Sequence, residues 1–234
     1  MSTLLDVRDI HTYIGQFHIL EGVSFSVQEG EIVALLGRNG AGKTTTLKSI
    51  LGLTPPRTGD VEFGGEILRG RHSYDIAAMG IGFVPEHRAI FGALSVEENL
   101  RLAERSKGDL ERKEELIFGL FPDLKRLINL PGTNLSGGQQ QMLAVARALV
   151  PDNRLLLIDE PSEGLAPVLI EQMMEAIRQL SSESTVLLVE QNFIVASRLA
   201  SRYVIVEEGV SVAAGDMADL VNDEATIRKY LGAA

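Results

Sequence analysis

Apolar side chains recur along this chain with two different periods, and the switches between them mark its elements. Leu4–Ile14 and Val23–Val27 alternate apolar and polar positions, the period of a half-buried strand. Glu31–Leu36 is a short apolar run that opens onto a glycine-rich loop, and Lys43–Leu51 follows with helical spacing. Thr54–Asp60 predicts a turn, because Pro55, Pro56 and Gly59 break regular structure. Val61–Phe63 and Ile81–Val84 predict further strands. From Ser95 to Leu149 long helical patterns take over, opened by the capping-box sequence Ser95-Val96-Glu97-Glu98 and interrupted at Gly108, Pro122 and Pro131–Gly132. Strand and helix then alternate through Leu155–Ile158, Pro167–Leu180, Thr185–Val189, Phe193–Ala200 and Tyr203–Val206. The tail, Ala218–Leu231, predicts one helix. The alternation predicts an α/β core with a mostly parallel sheet covered by helices, and a helical insertion within it.

Composition narrows the setting. The 234 residues are 45% apolar, enough to bury one sizeable core. No window approaches the roughly 18 consecutive apolar residues of a membrane-spanning helix. Met1–Ile10 carries Asp6 and Asp9 and no apolar stretch, so no signal peptide is expected. There is no cysteine, which excludes disulfides and thiolate metal sites. The net charge of −10 disfavours sequence-independent nucleic-acid binding, which needs Lys and Arg to replace phosphate counterions.

Chemistry enters with Gly37-Arg38-Asn39-Gly40-Ala41-Gly42-Lys43-Thr44, which matches the phosphate-loop pattern G-x-x-x-x-G-K-[ST]. Glycines let the backbone turn tightly and aim successive N–H groups at phosphate oxygens. Lys43 adds a point charge for the β and γ phosphates, the Thr44 hydroxyl suits Mg²⁺, and the following helix contributes the positive end of its dipole. Arg38 and Ala41 occupy free positions of the pattern. An apolar strand before and a helix after supply the context the pattern requires.

Two further motifs acquire meaning from that loop. Arg154–Glu160 is a buried-strand pattern ending in adjacent carboxylates. Alone, Asp159-Glu160 before Pro161 is an ordinary strand end. Paired with a phosphate loop upstream, it suits Asp159 to holding Mg²⁺ and Glu160 to polarising an attacking water as general base. Leu135-Ser136-Gly137-Gly138-Gln139 places a serine at the N-cap of the helical run Gln140–Leu149. Its two glycines would admit a ligand close to the backbone, and the exposed N–H groups and dipole favour an anion.

Leu135–Gln139 is the signature motif of ABC ATPases, and nearly the whole chain resembles that family. Finer likeness runs to the ATP-binding subunits of branched-chain amino acid importers and of urea and short-amide importers. It is carried by Val84-Pro85-Glu86, Ser95–Leu100, Asp159–Pro167, Val189-Glu190-Gln191-Asn192 and Tyr230-Leu231-Gly232. The resemblance implies a RecA-like P-loop NTPase core with an N-terminal antiparallel β subdomain (approximately 1–94 and 150–234 together). It also implies an α-helical subdomain over approximately 95–149, the whole chain forming a single ABC ATP-binding domain. ATP and Mg²⁺ are the implied cofactors. ATP would be bound by Gly37, Arg38, Asn39, Gly40, Ala41, Gly42, Lys43, Thr44 and Thr45, and the metal by Thr44, Glu86 and Asp159. Leu135–Gln139 would grip the γ-phosphate of an ATP held by another subunit. The implied partners are transmembrane permease subunits, a second ABC ATPase (a related chain, or a second copy of this one) and, indirectly, a periplasmic or extracellular binding protein. Nucleic acid is not expected, and the implied location is the cytoplasmic face of the membrane, as a peripheral subunit. The reaction implied is ATP hydrolysis driving import of branched-chain or other amino acids. Urea or amide import and lipid or polysaccharide export are the alternatives. A non-transport ABC protein fits less well, with only about ninety residues between Lys43 and Ser136 and an acidic charge.

The sequence departs from the general family pattern at three places. Glu86 stands where Gln is usual, and a carboxylate is also an oxygen ligand for Mg²⁺. Gln191 stands at the switch-histidine position, where its amide can donate to γ-phosphate but cannot carry a proton. Ile14 directly precedes Gly15 where an adenine-stacking aromatic is usual, with Tyr13 one position earlier and on the opposite face of a regular strand. Either Tyr13, brought round by a bulge, or Ile14 is expected against the base. In the loop after the acidic pair, Ala166 stands where Asp is common.

Overall fold

The structure is a computed structural model that describes residues 2–181 and 183–232. Its strands are β1 (Thr3–Ile14), β2 (Phe17–Gln28), β3 (Ile32–Leu36), β4 (Thr58–Phe63), β5 (Glu66–Ile67), β6 (Ile81–Val84), β7 (Leu155–Asp159), β8 (Thr185–Val189), β9 (Arg202–Glu207) and β10 (Val210–Asp216). The main helices are α1 (Lys43–Ile50), α2 (Ser73–Ala78), α3 (Val96–Arg101), α4 (Asp109–Leu120), α5 (Pro122–Arg126), α6 (Gly137–Leu149), α7 (Pro167–Leu180), α8 (Phe193–Leu199) and α9 (Met217–Val221).

The strands form two sheets, ordered β2-β1-β4-β5 and β10-β9-β3-β8-β7-β6. The first is antiparallel. In the second, every pairing from β9 to β6 is parallel and only β10 runs against its neighbour. Strands β3, β7 and β8 are buried along their full length, which is why they read as continuous apolar runs. Their alternate residues serve two cores. Ile32, Ala34, Leu36, Leu156, Ile158, Val186 and Leu188 face the helices, α6 and α7 among them. Val33, Leu35, Leu155, Leu157, Leu187 and Val189 face α1 and the antiparallel sheet.

Helices α3 to α6 fill the stretch predicted to be a helical insertion. Of these four helices, α3 and α6 start with reciprocal caps: at α3, Ser95 accepts from the Glu98 N–H while the Glu98 carboxylate accepts from the Ser95 N–H. Three elements differ from expectation. Helix α2 was not anticipated, because it is short and buries only Ile76. Strand β10 was missed, because its positions alternate between exposed and half-buried and show no core-facing run. The single tail helix is in fact α9, a short turn at Glu224–Thr226 and a wider turn at Ile227–Leu231. The break falls at Asp223, whose side chain accepts from the Thr226 N–H and restarts the helix as an N-cap.

Leu187 lies on the central strand β8 with no exposed surface. Truncation there removes packing on both neighbouring strands. Leu187→Ala is expected to lower unfolding free energy by about 2–5 kcal/mol, read as a reduced urea midpoint. An unchanged midpoint would contradict the packing described.

Candidate active site

The phosphate loop runs from the end of β3 into α1. A Cβ added at Gly37 would lie 2.2 Å from the Val206 carbonyl oxygen on β9, so a side chain there would collide with backbone. Ala41 N–H donates to the Arg38 carbonyl, closing the turn. The turn between β9 and β10 braces the loop from outside: Gly209 N–H donates to the Ala41 carbonyl, and the Gly209 carbonyl accepts from Glu21 N–H on β2.

Lys43 is 4% exposed and curls back over its own loop, donating to the Gly37 carbonyl at 2.9 Å and the Arg38 carbonyl at 3.2 Å. Its ammonium also pairs with Glu160 Oε1 at 3.3 Å. Thr44 Oγ1 donates to Asp159 Oδ1 at 3.2 Å, joining residues on either side of β8. Asp159 has almost no exposed surface. Burial pushes its carboxyl up to about 6, with Glu160 and Glu86 adding to the rise and the Thr44 hydrogen bond and Lys43 opposing it. Glu160 adopts a left-handed backbone conformation (φ 46°) ahead of Pro161, which turns the chain sharply out of β7. Lining a cleft of about 410 Å³ are Ile14, Ile19, Asn39, Gly40, Gly42, Lys43, Thr44, Thr45, Glu86, Glu160 and Glu163.

The cleft therefore gathers most of the residues expected at the nucleotide. Gly37, Arg38 and Ala41 build the loop from behind. Asp159 lies beneath it, touching Thr44. Ile19 and Glu163 are additions: Ile19 sits on β2, whose alternation gave no sign of a ligand, and Glu163 follows the acidic pair. Glu86 lines the cleft just before two left-handed non-glycine residues, Arg88 (φ 62°) and Ala89 (φ 49°). Arg88 reaches Gln140 Oε1 at 3.4 Å and Arg147 donates to the Ala89 carbonyl at 2.6 Å, so this segment is fastened to α6. His87 is exposed. The Thr44 hydroxyl and the Asp159 and Glu86 carboxylates are hard oxygen donors, and they fit a Mg²⁺ ion.

The position of Tyr13 differs from one of the two expectations. The strand is bulged at Thr12/Tyr13, yet the ring does not reach the cleft. One of its faces stacks on His18 (centroids 4.2 Å, planes 4° apart), and the Arg57 guanidinium lies 3.9 Å over the ring. His18 is the cross-strand partner of Tyr13 in the β1–β2 hairpin, whereas Arg57 comes from outside it. Ile14, 49% exposed, occupies the cleft rim instead.

Ser136 caps α6 as expected, accepting from Gln139 N–H while Gln139 Oε1 accepts from Ser136 N–H at 2.9 Å. It is exposed and does not line the Lys43 cleft. Leu135 is buried. A Cβ added at Gly138 would lie 2.3 Å from the Leu169 side chain on α7, so a glycine here admits close helix packing. Gln191 is exposed. Its neighbour Glu190, quoted in the sequence only as part of a family segment, is 2% exposed, and burial raises its carboxyl above the ordinary value.

A glycine-framed lysine loop at the carboxyl edge of a parallel sheet, facing a strand-end acidic pair, defines a P-loop nucleotide-binding ATPase. Residues 20–163 match the family described as ABC transporter. The chain is similar to the high-affinity branched-chain amino acid transport ATP-binding protein BraG of Pseudomonas aeruginosa, 41% identical over 98% of this chain and 100% of that one. It is also similar to the lipopolysaccharide export system ATP-binding protein LptB of Escherichia coli, 32% identical over 99% and 98%. A solved ATP-binding subunit of an ABC transporter superposes with a TM-score of 0.84 at 30% identity, covering 98% and 96% of the two chains. A dimeric ATP-binding cassette in a post-hydrolysis state with ADP and Pi superposes with a TM-score of 0.80 at 25% identity over 92% and 99%. The chain belongs to the ABC transporter family, as an ATP-binding and ATP-hydrolysing subunit. Among the described residues no helix is long and apolar enough to cross a membrane.

If Ile14 packs on the base, its contact is apolar and tolerant of the ring's polar edge. Ile14→Ala is expected to weaken ATP and GTP binding alike, by about threefold to tenfold each for the lost apolar contact, in competition against a fluorescent nucleotide. A strong ATP-over-GTP preference that Tyr13→Ala abolishes would instead assign the base to Tyr13.

Proposed function

We propose that this chain hydrolyses ATP to power import of branched-chain or other amino acids through a permease pair, as one of two ATPase subunits at the cytoplasmic face of the membrane. The observation that carries the hydrolytic reading is the Lys43–Glu160 contact beside the Thr44–Asp159 hydrogen bond. The end-to-end similarity to BraG supports the substrate class, at higher identity than the similarity to LptB. Lipid or polysaccharide export is the second reading, because the LptB similarity also spans nearly both chains.

In this reading the loop from Gly37 to Thr45 wraps the phosphates with backbone N–H groups, and Lys43 donates to the β and γ oxygens. Thr44, Asp159 and Glu86 would hold Mg²⁺, which would supply positive charge beside the phosphates. The γ-phosphate competes with Glu160 for the Lys43 ammonium. ATP binding thus frees the carboxylate to accept a proton from water aligned for attack. Gln191 donates an amide N–H to the γ-phosphate. Ser136 and the first N–H groups of α6 serve the ATP of the partner ATPase, which accounts for an N-cap that is exposed and remote from its own cleft. The partner is a related chain in the heterodimeric arrangement and a second copy in the alternative. A groove of about 390 Å³ lined by Phe83, Pro85, Ala89, Ala103 and Arg147 suits a cytoplasmic helix of the permease. It lies against the segment that follows Glu86, so a push on the permease reaches the metal-binding side chain.

Glu160→Gln keeps the side-chain size and removes the base. In the chain assembled with the permease proteins that co-purify with it, we expect ATP to be retained and turnover to fall on the order of 100-fold or more. Uptake of labelled leucine, isoleucine or valine by proteoliposomes is expected to stop with it. Full ATPase activity in the variant removes Glu160 from the base role. Wild-type hydrolysis without uptake of these amino acids removes the import assignment.

A further inference from the structure

We propose that Glu190 is a positioning residue that ties the loop after the Asp159–Glu160 pair to the loop bearing Gln191, so that the two respond as one unit. The inference deepens the hydrolytic reading above and rests on its placement of Glu160 and Gln191.

Glu190 follows the last residue of β8 and is enclosed on all sides. One carboxylate oxygen, Oε1, accepts from the Ser162 N–H at 3.2 Å, and the other, Oε2, accepts from the Asn192 N–H at 3.2 Å. Its own N–H faces the Leu35 carbonyl at 3.4 Å, the strand that enters the phosphate loop. Among the described residues it forms no ion pair. A buried carboxylate without a cation is costly. Here the compensation comes from the Ser162 side chain and from two backbone donors, one on each loop. The two donors meet different oxygens, so an amide in the same position would turn its NH₂, itself a donor, toward one of them.

Each loop is stiff enough to carry the tie onward. Glu160 N–H donates to the Val189 carbonyl, Glu163 N–H to the Glu160 carbonyl and Leu165 N–H to the Ser162 carbonyl. On the other side Asn192 Oδ1 accepts from Ile194 N–H and Val195 N–H and so caps α8. Gln191 sits between Glu190 and that cap. A displacement of Gln191 is thereby transmitted through one carboxylate to the turn that presents Glu160. With no proton-carrying histidine at position 191, the geometry assigns the coupling between these loops to a fixed hydrogen-bonded bridge.

The test uses the full-length chain and the variants Glu190→Gln and Glu190→Ala. Hydrogen–deuterium exchange is followed in segments 160–166 and 190–195. In Glu190→Ala both segments are expected to exchange faster together, by about tenfold or more, with β3 and β7 still protected. Glu190→Gln, which keeps one acceptor, is expected to fall between Ala and wild type. In ATPase assays kcat is expected to drop about tenfold or more while KM for ATP changes less than about threefold. Faster exchange in one segment alone, or in neither, overturns the tie. Loss of protection that spreads into β3 and β7, with kcat and KM moving together, makes Glu190 an ordinary core residue and also overturns it. Because exchange is read without turnover, the tie is decided even where the roles given to Glu160 and Gln191 fail.

Discussion

At the carboxyl ends of β3 and β7 one ammonium, Lys43, is held against Glu160 and near Asp159 in surroundings that exclude most water. Removing such charges from water is costly, and their attraction repays the cost only when hydrogen bonds satisfy the groups that remain. The Gly37 and Arg38 carbonyls accept from the lysine, and Thr44 donates to Asp159. Those contacts dictate much of the architecture. They need two strands set one apart across β8, a loop narrow enough for its carbonyls to meet its own lysine, and a sheet covered on both faces to keep water out.

The excess of carboxylate over ammonium at this point explains the chemistry as well. Asp159, Glu160 and Glu86 share one nearby cation in Lys43, and their mutual repulsion adds to the burial that lifts the Asp159 carboxyl. Such a cluster favours ligands that bring positive charge with them, as a magnesium nucleotide does. A nucleotide therefore redistributes the charge pairs already present, and redistribution is what releases Glu160 from its lysine. Ser136, at the start of α6, lies outside that cleft, and in the proposed reading it serves a second molecule, so that the site is divided between two faces of one chain.

Much of this was legible in the amino-acid sequence because the decisive features are local. The phosphate loop, the capped start of α6 and the acidic strand end are each defined by a few consecutive residues, and buried parallel strands announce themselves as apolar runs. What escaped depends on distant partners. Tyr13 is turned from the cleft by Arg57, which no periodicity connects to it, and by His18, its partner across a hairpin whose second strand the pattern shows only from Val23. Gly138 reads as a glycine that opens the backbone to a ligand, and the room it also gives Leu169 comes from a helix remote in sequence. Glu190 read as one more letter of a family segment, since burial of a carboxylate at a strand end is a tertiary fact. Helix α2 and strand β10 lack a wide apolar face, so their patterns carry little contrast.

The turn between β9 and β10 clasps the phosphate loop through Ala41 with one backbone group and β2 through Glu21 with the other. Strand β2 is the partner of the strand that ends in Ile14, so the two extremities of the cleft are joined by main-chain bonds that turn on Gly209, where an added Cβ would lie 2.3 Å from the Ile19 carbonyl oxygen. The separation between the apolar rim and the phosphate cradle is consequently a fixed span, like the jaws of a locked caliper. In the proposed nucleotide site such a span would gauge a ligand by its length from ring to terminal phosphate.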